Sequence, residues 1–474
     1  MVIQEQTAAQ RLREEFGFLQ DVVADMEKRV PYASALVKIE DGVRINLRDG
    51  EQQASRREPR TGVVFTVSNG SFLEEEATGD TSESALRAAA ARLVERATAR
   101  RAARNGAASG LNIDPGEPLD RDFVTETKID PATLSLAEKL ARFESLRQRL
   151  RTLDARAIQA TLRYTDGAET KLFVNRAKLV TEDVRRIQLF LTLFVSNGAD
   201  RRYDWLSVGG TGGLELIETT DAQLEEMRDT ALMLLEAKPV PAGTYDVVAD
   251  PSVTGVLAHE AFGHGVETDM FLKDRARGAH YVGKRVGSDL VTIVDDPTVP
   301  AAFGSYFVDD EGQVATPTQI IKDGILISGL SDLYSASRLG LARSANGRRE
   351  SFERKAYARM SNTFFAPGSS TPQQLLQSLD HGLYLCRASS GMEDPKGWGI
   401  QVSTHFAREY QGGKPTGVVF APISITGYVP DLLNDVSMVA SDFELHPGGC
   451  GKGWKEYVNV GDGGPHLRTR VRLG

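Results

Sequence analysis

Pro239-Val240-Pro241-Ala242-Gly243-Thr244-Tyr245-Asp246-Val247-Val248-Ala249 is the stretch on which the organisation of this 474-residue sequence turns. Two prolines and a glycine stop the helical pattern before them, because proline lacks the amide a helix needs and glycine turns freely. The residues after them predict a strand over 244–249. A short helix follows, carrying Val256-Leu257-Ala258-His259-Glu260-Ala261-Phe262-Gly263-His264-Gly265-Val266-Glu267. The break predicts a boundary near 240, between an N-terminal domain over 1–240 and a C-terminal domain over 241–474.

Upstream, apolar side chains at Leu12, Phe16, Leu19, Val22, Val23 and Met26 recur at steps of three and four and predict a helix over 7–28. Strand-like runs follow at 35–40, 43–47, 62–67 and 71–76, with Glu40-Asp41-Gly42 as a tight hairpin link. A helix over 82–104 is opened by Ser82 and stopped by Asn105-Gly106. The same order then recurs: a helix over 135–153, strands at 155–164, 169–175, 179–196 and 204–209, and a helix over 221–236. This predicts an N-terminal α/β domain of antiparallel strands with packed helices. Downstream, short apolar runs at 290–294, 319–321, 325–330, 417–426 and 457–460 alternate with Gly, Pro and Asp clusters, which predicts a β-rich C-terminal domain. The fold class is α+β.

Composition narrows the function. The hydrophobic fraction of 41% suits a large buried core. No apolar run is long enough to predict a membrane helix, and the charged start resembles no secretion signal, so a cytoplasmic protein without a membrane partner is expected. Two cysteines, Cys386 and Cys450, exclude a disulfide framework. A net charge of -9 argues against nucleic acid as the partner.

The chemistry concentrates at His259, Glu260 and His264. Histidines four apart share a helical face, but five apart they diverge by about 140° on an ideal helix. A π-bulge or a break near Gly263 would bring them back together. A catalytic zinc site takes three protein ligands, and the best third candidate is Cys450 in His446-Pro447-Gly448-Gly449-Cys450-Gly451-Lys452-Gly453-Trp454, with Lys452 favouring its thiolate. Glu260 would then act as general base on a metal-activated water, and Glu267 would orient the His264 ring. The bland alternative makes both histidines ordinary core or surface residues.

The stretch His259–Asp269 resembles the signature of the TldD-type members of the TldD/PmbA metallopeptidase family. The resemblance continues through Val291-Thr292-Ile293-Val294-Asp295-Asp296, Asp309-Asp310-Glu311-Gly312, Arg359-Met360-Ser361-Asn362-Thr363 and Gly449-Cys450-Gly451-Lys452. It implies one zinc ion per chain on His259, His264 and Cys450, and a catalytic Glu260. It also implies unfolded or modified peptides as substrates, including precursors of peptide natural products. The partner it implies is a homologous PmbA/TldE-like subunit lacking the H-E-x-x-x-H motif, in a heterodimer. Trp454 departs from the polar residue common in the family. The rival readings are a metal-dependent hydrolase of non-peptide amides and a non-catalytic subunit with structural zinc.

Other features carry weaker signals. His446 is an alternative ligand or an oxyanion donor. Arg349, with Arg348 and Arg354, could hold a peptide carboxylate bidentately or form surface ion pairs. The acidic runs at 295–296 and 309–311 lack EF-hand spacing and read as turns. Gly209-Gly210-Thr211-Gly212-Gly213 reads as a flexible loop. The basic row Arg92, Arg96, Arg100, Arg101 and Arg104 reads as a solvated helix face. His280, His381, His405 and His466 read as structural, and Cys386 as an inert buried thiol.

Overall fold

The computed structural model describes residues 7–103, 110–453 and 455–474. The Asn105-Gly106 stop, Arg104 and Trp454 lie outside the described residues. The architecture is mixed α+β.

The first half contains α1 (Ala8–Phe16), α2 (Leu19–Glu27), β1 (Tyr32–Arg48), β2 (Glu51–Ser68), β3 (Leu73–Thr78), α3 (Glu83–Ala103), β4 (Leu119–Val124), α4 (Leu136–Arg151), β5 (Ala157–Asn175), β6 (Lys178–Ser196), β7 (Arg201–Thr211) and α5 (Asp221–Met233). The recurrence of helices, three strands and a helix has a spatial counterpart. The sheet runs β3-β2-β1-β5-β6, with β7 and β4 both on the far edge of β6. The two sets of three strands therefore meet at the antiparallel β1–β5 pair. Their helices cover one face: α1 to α3 pack on Val63, Phe65 and Leu172, and α4 and α5 on Ile45, Leu162 and Leu191. The opposite face of β5 to β7 stays open.

Several boundaries differ from the sequence reading. The helix over 7–28 is two helices, divided at Gly17-Phe18. Glu40-Asp41-Gly42 is no hairpin; β1 runs through it, with a register shift between Glu40 and Gly42. A bulge absorbs the extra residue while the strand pairs on both sides. The reversal comes instead at Asp49-Gly50, where Gly50 takes a φ of 76°. Likewise 155–164 and 169–175 are one strand, since Asp166 continues the ladder opposite Val43. Gly209, Gly210 and Thr211 are not loop residues but pair with β6. The basic row on α3 is ion-paired: Arg92 and Arg96 reach Glu76, and Arg100 reaches Glu74.

The second half contains β8 (Gly243–Ala249), α6 (Pro251–Phe262), β9 (Ile293–Asp295), β10 (Thr318–Lys322), β11 (Ile325–Leu326), β12 (Gly347–Arg348), β13 (Tyr357–Ala358), β14 (Asn362–Phe365), β15 (His381–Asp394), β16 (Gly399–Gln411), β17 (Lys414–Phe420), β18 (Ile423–Tyr428), β19 (Met438–Val439), β20 (Glu444–Lys452), β21 (Lys455–Gly464) and β22 (Leu467–Leu473). Because β15 pairs with both β8 and β16, the order β15-β8-β22-β18-β16 closes into a ring of five strands. A second sheet, β11-β10-β9-β14-β21-β20, lies on the other side of α6.

Helix α6 is buried between them, which explains why it is apolar nearly all round. Asp250 caps it by accepting from the Val253 amide at 2.9 Å, and Pro251 opens it. Its approach to β21 is close at Gly255, where a Cβ would lie 2.5 Å from Gly463 Cα. Among the described residues no helix is long and apolar enough to cross a membrane.

A buried polar network fastens the first sheet to the second half. Lys171 Nζ lies 2.7 Å from Glu182 and 3.1 Å from Asp310, and Lys38 Nζ lies 3.0 Å from Glu169. Glu182 in turn accepts the Phe307 and Val308 amides. Burial alone would raise the Glu169 carboxyl, but Lys38 and Lys171 more than reverse this and hold it down at about 2, from an ordinary 4.5. A depressed folded-state value means stabilisation that is complete above pH 4.5 and lost as pH falls toward 2. Glu169→Gln should therefore lower stability at pH 7, on the order of 1–2 kcal/mol, and flatten the loss of stability between these pH values in denaturant titrations. Gly255→Val should force α6 off β21 and destabilise the fold by about 1–3 kcal/mol, read as a lower melting temperature.

Candidate metal centre and catalytic cleft

The close packing at Gly255 sets the depth at which the last turn of α6 presents His259 and Glu260. The helix then stops. Gly263 caps it with its amide on the His259 carbonyl at 3.0 Å, and a 3-10 turn over His264–Val266 follows. A side chain at 263 would strike the His259 carbonyl oxygen and come 3.0 Å from Met360 Cγ, so this break needs glycine. The break, rather than a π-bulge, turns His264 back, and the two rings stand edge to face with centroids 5.2 Å apart.

Cys450 arrives from β20. Its Sγ lies 3.2 Å from His259 Nε2 and 3.0 Å from His264 Nε2. All three donor atoms lie within 4.8 Å of one another. Ligand atoms around a tetrahedral zinc stand roughly 3.5 Å apart, as bonds of about 2.0–2.3 Å require. Two imidazole nitrogens and one sulfur are also the donor types zinc accepts. The residues present thus fit such an ion. Burial pushes the Cys450 thiol up, but the two imidazoles outweigh burial and bring it well below its ordinary range.

Behind the donors lies a charged layer. Glu267 Oε2 is 3.5 Å from His264 Nδ1, the orientation its sequence position predicts. Arg359, fully buried, donates from Nε to Glu267 at 3.1 Å and from Nη2 to the Cys450 sulfur at 2.9 Å. Lys452 does not touch the sulfur; it binds Glu267 at 2.9 Å and Asp269 at 2.6 Å. Its predicted role beside the thiolate falls to Arg359, because a register shift between Cys450 and Lys452 separates the two side chains. Burial would raise the Glu267 carboxyl, but Lys452, His264 and Arg359 drive it far below the usual range.

Glu260 lies next to this cluster, packed over Gly391, whose missing side chain leaves it room: a Cβ there would be 2.9 Å from Glu260 Cδ. Burial pushes its carboxyl up while the His259 and His264 rings oppose. Both oxygens of Glu393 are buried without hydrogen-bond partners, and burial pushes its carboxyl up to about 9. His259, Glu260, His264 and Cys450 open on a cavity of about 1500 Å³. Phe190, Tyr203 and Trp205 of the N-terminal sheet form the facing wall.

Of the other candidates, His446 lines this cleft but stands outside the three-donor group, 3.9 Å from Glu444. Arg349 lies apart from the cleft, paired with Glu75 at 2.8 Å and lining a second cavity. Its neighbour Asp310 accepts its main-chain amide, which turns the side chain toward the N-terminal sheet. Arg359 and Glu393 carry no spacing signal. Arg359 stood only within a block of the resemblance, without a role.

Residues 242–472 match the family described as PmbA/TldA metallopeptidase C-terminal domain. A metalloprotease of Methanothermobacter thermautotrophicus is 32% identical over 96% of this chain and 97% of its own length. The chain belongs to the TldD/PmbA family. A metalloprotease TldD homolog of Haemophilus influenzae is 31% identical over 72% of this chain and 76% of the relative. Among solved structures, TldE from Thermococcus kodakarensis superposes with a TM-score of 0.72 over 96% of this chain and 99% of that one, at 16% identity. That likeness is one of fold alone.

The layer behind the donors gives a direct test. Arg359→Met should leave Glu267 short of a partner and cost about 3 kcal/mol. Adding Glu267→Gln should recover part of that loss, so a double-mutant cycle by thermal melts would show coupling of at least about 1 kcal/mol.

Proposed function

We propose that this TldD/PmbA member is a zinc peptidase of the cytoplasm that hydrolyses unfolded or modified peptides, precursors of peptide natural products among them. The observation that carries the reading is the meeting of His259 Nε2, His264 Nε2 and Cys450 Sγ on a large cleft with Glu260 beside them. Relatives named metalloproteases support peptide-bond hydrolysis. Free, buried thiols suit a reducing compartment.

In this reading His259, His264 and Cys450 hold one zinc ion. Zinc supplies Lewis acidity toward a peptide carbonyl and acidifies a water toward neutral pH. Glu260 takes the proton from the attacking water and passes it to the leaving amine. Glu267 holds the His264 ring, and Arg359 and Lys452 hold Glu267. A cleft of about 1500 Å³ suits an extended peptide. The partner in this reading is a homologous subunit that lacks the H-E-x-x-x-H motif, in a heterodimer.

Glu260→Gln should retain one zinc per chain by elemental analysis while peptide turnover falls about 10²–10⁴-fold. Cys450→Ser should lose zinc, and a chelator should abolish turnover until zinc is restored. Full activity in Glu260→Gln would sink the mechanism, and cleavage of small amides but not peptides would reassign the substrate.

A further inference from the structure

Beyond the cleft lies a second cavity of about 740 Å³ that shares Arg163, Gln188 and Tyr457 with it. Tyr457 lies against Gly449, next to Cys450, so the passage between the two spaces adjoins the metal donors. The floor is the open face of the N-terminal sheet. There Arg44 stands opposite Thr165, Arg163 opposite Phe190 and Arg186 opposite Gly167.

The charge balance of this chamber is unusual. Arg186 and Arg348 are only 9% and 8% exposed. Arg186 donates to the Phe303 carbonyl at 2.9 Å and the Ser305 carbonyl at 2.7 Å, and Arg348 to the Met360 carbonyl at 2.5 Å. Among the described residues, neither these two nor Arg44 and Arg163 form an ion pair with a carboxylate. The lining acids are already engaged: Glu40, Glu169 and Asp310 with Lys38 or Lys171, Asp166 with Lys139, and Asp41, Asp309 and Glu350 with main-chain amides. Arg348 also stacks over the Tyr306 ring, 4.9 Å from its centroid, and two buried guanidiniums without a direct carboxylate partner are costly to desolvate. Their planar forks match a carboxylate, which they can bind bidentately.

We infer that this chamber is a carboxylate subsite of the peptide cleft, gripping the C-terminal carboxylate or an acidic side chain of a bound peptide through Arg163 at its mouth and Arg186 and Arg348 within. The inference rests on the peptidase reading of the cleft. It gives the active centre a reference point on the substrate that is independent of the residues flanking the cleaved bond.

The test measures binding to the full-length zinc-loaded Glu260→Gln chain by fluorescence anisotropy. Three labelled unstructured peptides of neutral sequence differ only in their acid: a free C-terminus, a C-terminal amide, and an amide with one internal glutamate. The amide should bind about tenfold more weakly than whichever peptide carries the recognised carboxylate, and comparing the other two identifies its source. Arg163→Gln, an exposed site that should leave the melting temperature unchanged, and Arg348→Met should each bring that peptide to the affinity of the amide. Equal affinity for all three peptides, or discrimination that survives in Arg163→Gln, would overturn the subsite. Lost discrimination with peptide cleavage by the wild type intact removes the subsite alone. Discrimination without cleavage removes the peptidase reading alone.

Discussion

A helix cannot aim side chains five residues apart at one point, and the site depends on how this chain escapes that constraint. It ends α6 at Phe262 and spends one glycine on the turn that swings His264 back. Everything else follows from holding that turn in place. Gly255 lets the helix sink onto β21, Met360 closes over Gly263, and Glu267 sits behind the second ring. The sulfur is then delivered by a strand rather than a loop, and strands fix position better than glycine-rich connections do.

The charged layer around Arg359 has a second role besides alignment. A thiolate and a carboxylate, both deeply buried, would repel each other and resist desolvation. One guanidinium between Cys450 and Glu267 joins the two, and Lys452 adds a second positive charge on the far side of Glu267. Glu260 and Glu393, with no such cation, are pushed the other way by burial. Neighbouring carboxyls thus take opposite directions because only one of them has arginine and lysine beside it.

How much of this was legible in the sequence depends on the range of the interaction. The i, i+5 spacing of His259 and His264, together with Gly263, was enough to require a broken helix, since that argument is local. The recurrent order of helices and strands was readable for the same reason. The path of β1 through Glu40-Asp41-Gly42 was not, because turn-forming residues can also sit within a strand, and only the single register that β1 keeps with β5 on both sides of them decides between the two. Arg359 carried no role in the sequence and Arg348 carried two, a carboxylate grip or a surface ion pair, since arginine rarely lies fully buried. Nothing local to either says that a sulfur or a carbonyl will meet it. Arg349 was left between a carboxylate grip and an ion pair, and it forms the ion pair, with Glu75, its direction set by Asp310 on its main-chain amide.

The ring of five strands takes β8 from one end of the second half and β22 from the other, and Cys450 enters on β20, just ahead of β22. On the ribosome, a chain that has emerged only as far as His264 therefore carries both imidazoles but neither the Cys450 thiol nor the strand that seals the barrel. The three-donor group can therefore assemble only once β20 has been made, so the centre is completed late in translation, just before the last strand closes the ring.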